Sequence, residues 1–198
     1  MLEDYAKARK LGLKQVERDV SDGPYPPALD DILKNQGYQG EVPVGLTEVD
    51  LTLIAGTKTR GRQNMFSSDF MPIAEAGSEF AAKWSDLIDS QRAEGLRDPI
   101  IVYEYLQRFY VQEGNKRVSV SRYLGMPIIA NITRVIPMPS DEKALRVYHE
   151  FTRFYRVAPI YGIISSEEGF YARLAALLGQ DLDTPWPEDV VRDLRSVF

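Results

Sequence analysis

Between Asp98 and Pro137 the sequence is punctuated so closely that few structures fit it. Asp98-Pro99 blocks any helix arriving from upstream, because proline pushes the residue before it out of the α region. Pro99–Tyr103 and Arg108–Gln112 are short and rich in β-branched and aromatic residues, which predicts two strands joined through Glu104–Gln107. Glu113-Gly114-Asn115-Lys116-Arg117 then opens a short helix that runs to Leu124 and stops at Gly125, and Ile128–Ile136 reads as a third strand. The order strand, strand, helix, strand predicts an α+β fold with a small sheet.

The flanks read as helical. Leu2, Ala6, Arg9, Leu13, Val16 and Val20 recur every three to four positions and predict a helix over 2–20. Three prolines in Ser21–Pro27 end it, and a short helix at Ala28–Asn35 follows. Val42, Val44 and Leu46 alternate with smaller residues as a half-buried strand over 42–49 should. Ser78 reads as the N-cap of a helix through Glu94, with Phe80, Trp84, Leu87 and Ile88 as its apolar stripe and Gly95 after its end. Beyond Pro139, Ala144, Tyr148, Phe151 and Tyr155 make one helical stripe. Phe170, Leu174, Leu177 and Leu178 make another, with Ser166 as its cap, and a last helix starts near Pro187. The expected organisation is an N-terminal helical extension over 1–41, an α+β domain over 42–139 and a C-terminal helical extension over 140–198, near one domain by the prior of about 150 residues each. The apolar end at Val197-Phe198 suggests a piece of a longer protein.

Composition removes several function classes. The chain has no cysteine, which excludes disulfides, thiol redox chemistry, a cysteine nucleophile and zinc-thiolate sites. Its one histidine, His149, cannot supply a multi-histidine metal site, so no metal ligands are expected. A net charge of -5 opposes a nucleic-acid backbone as partner. No apolar run approaches the ~20 residues of a membrane span, and the first residues lack a signal-peptide pattern; a cytoplasmic protein with no membrane partner is the expectation.

Two places concentrate positive charge. Gly56–Arg62 holds Lys58, Arg60 and Arg62 between glycines, and reads either as a solvated loop or as an anion clamp. Gly114–Arg117 is a turn into a helix, where unpaired N–H groups and the positive end of the helix dipole converge, with Lys116 and Arg117 in the first turn. That geometry suits phosphate. Glu113 beside it could take a proton or simply pair with Arg117.

The helix Ser78–Gly95 followed by the strands Pro99–Tyr103 and Arg108–Gln112, the Gly-x-x-Arg turn and the Gly-ended helix Gly114–Gly125 resembles the N-terminal domain of the ParB/sulfiredoxin superfamily over roughly residues 42–136. It also resembles bacterial proteins carrying ParB N-terminal-like domains. The resemblance implies a ParB/sulfiredoxin-like mixed sheet, places the family's motif glycine on Gly114 and its phosphate-binding arginine on Arg117, and leaves Asn115 and Lys116 at the two variable positions. Sulfiredoxins carry a cysteine in this turn; Asn115 stands here, so sulfinic-acid reduction is excluded. ParB proteins bind CTP at this turn and follow it with a helix-turn-helix, which the helices after Pro139 do not resemble. A free-serine kinase branch uses the turn for nucleotide phosphates and a carboxylate as base, a role open to Glu113 or Glu104.

The resulting expectation is a nucleoside di- or triphosphate (ATP, ADP or CTP, with Mg²⁺ as an optional companion) held by Gly114, Asn115, Lys116 and Arg117. Lys58, Arg60 and Arg62 would be contacts from a second side. The role is regulatory or catalytic. The alternatives are an ATP- or ADP-dependent small-molecule kinase, a protein-interaction module without ligand, and a ParB-type DNA-binding partition protein. A small molecule or a protein is left open as a further partner.

Overall fold

The computed structural model of the chain describes residues 2–61, 63–95 and 98–197. They form seven α-helices and a five-stranded mixed sheet, an α+β fold, and the chain divides into two compact units, Met1–Ile136 and Pro137–Phe198.

In the first unit the helices are α1 (Leu2–Arg18), α2 (Leu29–Gln36), α3 (Glu79–Glu94) and α4 (Asn115–Leu124), and the strands are β1 (Tyr38–Val49), β2 (Ile54–Thr57), β3 (Ile100–Tyr105), β4 (Arg108–Glu113) and β5 (Ile128–Pro137). The spatial order is β1-β5-β3-β4-β2. β3 and β4 form the expected hairpin, with Val102 opposite Val111 and Tyr103 opposite Tyr110. Its two-residue turn, Leu106-Gln107, has φ of 51° and 60°, the left-handed pair that lets a tight hairpin follow the strand twist. β3 runs parallel to β5 and β4 parallel to β2.

β2 is a strand not expected from the sequence, and its last two residues, Gly56 and Thr57, fall in the expected glycine-punctuated loop over 56–62. It is four residues long and contains Gly56, so it carries almost no alternation to detect. Its outer edge is covered by the linker after α1: the Thr57 amide donates to the Pro27 carbonyl at 2.9 Å and the Asp30 amide to the Lys58 carbonyl at 3.1 Å. The approach is so close that a Cβ on Gly56 would collide with the Pro27 oxygen. β1, the other edge, is longer than expected, and Val42 and Leu46 are exposed rather than half-buried.

Alternation along β3 and β4 gives the sheet two apolar faces. Tyr105 and Tyr110 pack with Leu29 and Leu33 of α2 and Val135 of β5. Ile100, Val102, Val111, Ala130 and Ile132 turn the other way and are fully buried. A helical layer forms around Trp84 of α3, which meets Tyr5 and Ala8 of α1 and Val120 of α4, and whose indole N–H donates to Ser119 Oγ at 2.8 Å. The buried side of α1 is therefore Tyr5, Ala8 and Gly12, not the stripe through Ala6 and Leu13 expected from spacing. The small residues let α1 come close, and the Tyr5 hydroxyl donates to the Ala74 carbonyl.

α3 is capped as its sequence implies, Ser78 Oγ accepting from the Ala81 amide and Gly95 closing the end. In the second unit the helices are α5 (Lys143–Val157), α6 (Phe170–Leu177) and α7 (Glu188–Val197); Phe151 and Phe154 of α5 pack on Tyr171 of α6, and Phe154 also meets Trp186. α6 is capped by the left-handed Gly169, not Ser166. Its buried residues are Tyr171 and Ala175, leaving Leu177 exposed.

Candidate functional site

β2 and β4 are adjacent and parallel, so the chain leaves both at the same end of the sheet. β2 leads into the basic loop and β4 into the glycine turn, and the loop is tied to β4 by the Lys58 amide donating to the Val111 carbonyl at 2.8 Å. The carboxyl ends of parallel strands are where open sheets usually place a ligand.

α4 begins at Gly114, whose φ of 109° is left-handed and whose missing Cβ makes room for Ile100 Cγ2. No side chain caps this helix start. The Gly114 carbonyl accepts from the Val118 amide, the first bond of the helix, so the amides of the first turn precede the helical ladder. Arg117, whose side chain is 16% exposed, donates from Nη1 to the carbonyls of Asp98 at 2.6 Å and Pro99 at 2.9 Å, bracketing the start of β3. Its Nη2 faces the Glu113 carboxylate at 3.7 Å, a loose pair in which Glu113 is 68% exposed. The Lys116 ammonium stands over the Phe80 ring, 5.2 Å from its centroid. Asn115 Oδ1 is buried without a hydrogen-bond partner.

The basic loop has other engagements. Lys58 pairs with Asp30 and lies 4.9 Å over the Tyr103 ring; Arg60 donates from Nε to Asp31 at 2.6 Å. Both side chains thus engage the acidic first turn of α2, a pairing across 28 and 29 residues that local spacing does not reveal. Arg62 lies outside the described residues. Glu104 is fully buried. It accepts from Arg134 Nε at 2.6 Å and from the Gln107 amide at 2.8 Å, so the carboxylate that the sequence offered as a candidate base locks β3 to β5 and closes the hairpin turn.

Sequence reading also missed Arg122. Its guanidinium donates to the carbonyls of Asp69, Leu51 and Ile54 at 2.6–2.9 Å and stacks on Phe70, tying the segment that enters β2 and the loop around Asp69 to α4, and burial pushes its pKa down. A single arginine inside a helix gives no sequence signal of such a role. Among the described residues no group of three or more His, Asp or Glu side chains is placed to hold a metal, and no helix is long and apolar enough to cross a membrane.

No family model and no curated protein matches the sequence. Among solved structures the chain is similar to sulfiredoxin from Arabidopsis thaliana, at 26% identity over 44% of this chain and 82% of that one, with a TM-score of 0.32. At that score the likeness assigns no role to any residue here.

Proposed function

We propose that the chain is a phosphate-binding α+β domain that holds a nucleoside di- or triphosphate at Gly114–Arg117, in a regulatory or catalytic role. The observation that carries this reading is the uncapped start of α4 behind a left-handed glycine. An uncapped helix start leaves donors and a positive dipole end to be satisfied by an anion. Arg117 suits the task as a braced group: Nη1 is fixed by two carbonyls while Nη2 meets only a loosely held carboxylate among the described residues. A phosphate can displace that carboxylate, because its side chain is exposed and the 3.7 Å separation makes the pair a loose one. Phosphoryl transfer to a small hydroxylated molecule is the catalytic form of this reading, with Glu113 as the nearby carboxylate and positioning as the main source of rate.

A second reading, an interaction module that keeps the fold without a ligand, is favoured by the ion pairs that already neutralise Lys58 and Arg60. Thermal unfolding separates the two. At 100 times its dissociation constant a ligand adds about 2.7 kcal/mol to stability, so millimolar ATP, ADP or CTP with Mg²⁺ should raise Tm by several degrees, and Lys116→Gln should reduce the rise. An unchanged Tm with every nucleotide leaves the interaction module.

A further inference from the structure

The loop after β2 keeps its shape without using its charges. Thr57 Oγ1 donates to the Thr59 carbonyl at 2.8 Å, the Gly61 amide donates to Thr59 Oγ1 at 3.3 Å, and the Lys58 amide is fixed on β4. None of these bonds involves the Lys58 ammonium or the Arg60 guanidinium. Both cations turn to the first turn of α2, where Lys58 meets Asp30 and Arg60 Nε donates to Asp31 at 2.6 Å. The start of α2 is itself pinned to the loop, the Asp30 amide donating to the Lys58 carbonyl at 3.1 Å. Two neighbouring carboxylates are thus held against two cations by backbone bonds, the arrangement a bound dianion would make.

Strength and reach decide what this pairing does. The Asp30, Asp31 and Arg60 side chains are 49%, 44% and 75% exposed, and exposed ion pairs yield to a stronger competitor because solvent screens them. Releasing either cation needs only side-chain rotation, since the loop backbone stays braced. β2 and β4 run parallel with Thr57 opposite Val111, three residues before Gly114, so the loop begins about 10 Å of strand from the glycine turn. The long Lys58 and Arg60 side chains can close that gap toward a triphosphate seated on α4, whose far end carries several negative charges. A single phosphate presents no such end.

We propose, resting on the nucleotide reading above, that Asp30 and Asp31 are an internal stand-in for phosphate. They mask Lys58 and Arg60 until a polyphosphate anchored at Gly114–Arg117 displaces them, so the site selects nucleotides by the number of their phosphates. A monophosphate gains nothing from the loop and meets two carboxylates beside it.

The test is calorimetric titration of the full chain with ATP and with AMP in four forms: unsubstituted, Asp30→Asn with Asp31→Asn, Lys58→Gln with Arg60→Gln, and all four changes together. Unmasking predicts that the asparagine pair binds ATP about fivefold to tenfold more tightly, since two exposed ion pairs no longer have to be broken, and binds AMP less than about twofold more tightly. The chain with all four changes should lose the gain, because the released cations supply it. In the unsubstituted chain the Arg60 Nε–H resonance should move with ATP and stay still with AMP. Equal gains for ATP and AMP, or a gain that survives the loss of Lys58 and Arg60, would reduce the effect to general charge and overturn the proposal. Unchanged ATP affinity in the asparagine pair overturns it too, while binding by the unsubstituted chain keeps the nucleotide reading. Absence of ATP binding in all four forms overturns both.

Discussion

Arg117 has two duties that can be measured apart. Its bonds to the Asp98 and Pro99 carbonyls fasten the start of β3 to α4, so Arg117→Ala should cost about 1.5–3 kcal/mol in urea unfolding, the range for hydrogen bonds to charged groups. Arg117→Lys should recover little of it, because an ammonium lacks the planar fork that spans two acceptors. Glu104 makes a sharper case. A fully buried carboxylate paired with Arg134 leaves an uncompensated charge when either partner is removed. Glu104→Leu should therefore lose about 3–5 kcal/mol, whereas Glu104→Leu with Arg134→Met should lose much less, a non-additive cycle in urea denaturation. Simple additivity would mean the pair is not coupled.

At the scale of elements, the start of α4 decides whether the site exists. Gly114→Ala combines a left-handed φ with a collision against Ile100, and should lower stability by about 2 kcal/mol or more in urea unfolding. Ser78→Ala, which removes the cap of α3, should cost about 1 kcal/mol and spare the glycine turn. Elements marked by local chemistry were legible in the sequence: the Ser78 and Gly95 caps, the β3–β4 hairpin, and α4 between Gly114 and Gly125. What was not legible depends on partners distant along the chain. β2 is a strand because β4 and the Pro27 carbonyl flank it, and Lys58 and Arg60 are paired because α2 brings Asp30 and Asp31 beside them. The faces of α1 and α6 were misread for a related reason. Small residues, Ala8 and Gly12 in one and Ala175 in the other, are buried where close approach needs them, and spacing of large apolar residues alone points elsewhere.

For the molecule as a whole, acid and alkali should act through different groups. The Arg92 guanidinium beside Asp4 holds that carboxyl down at about 2, against an ordinary value near 3.8. A depressed folded pKa contributes stability that is present above the unfolded value and is lost as pH falls from about 4 to about 2. Arg92→Ala should therefore flatten the acid limb of a Tm-versus-pH profile. Burial pushes the Tyr5 hydroxyl up to about 12, so its contribution is complete below about 10 and is lost as pH rises toward 12. Tyr5→Phe should soften the alkaline limb.

The central claim is that the first turn of α4 receives a phosphate, and amide shifts during a nucleotide titration of the Glu113→Gln variant beside the unsubstituted chain test it most directly. The account predicts saturable shifts confined to the residues around Gly114–Val118, with affinity raised about threefold to fivefold in the variant because a carboxylate near the anion has been neutralised. Amides that stay still in both proteins up to millimolar ATP, ADP and CTP, or affinity lowered by Glu113→Gln, would contradict it.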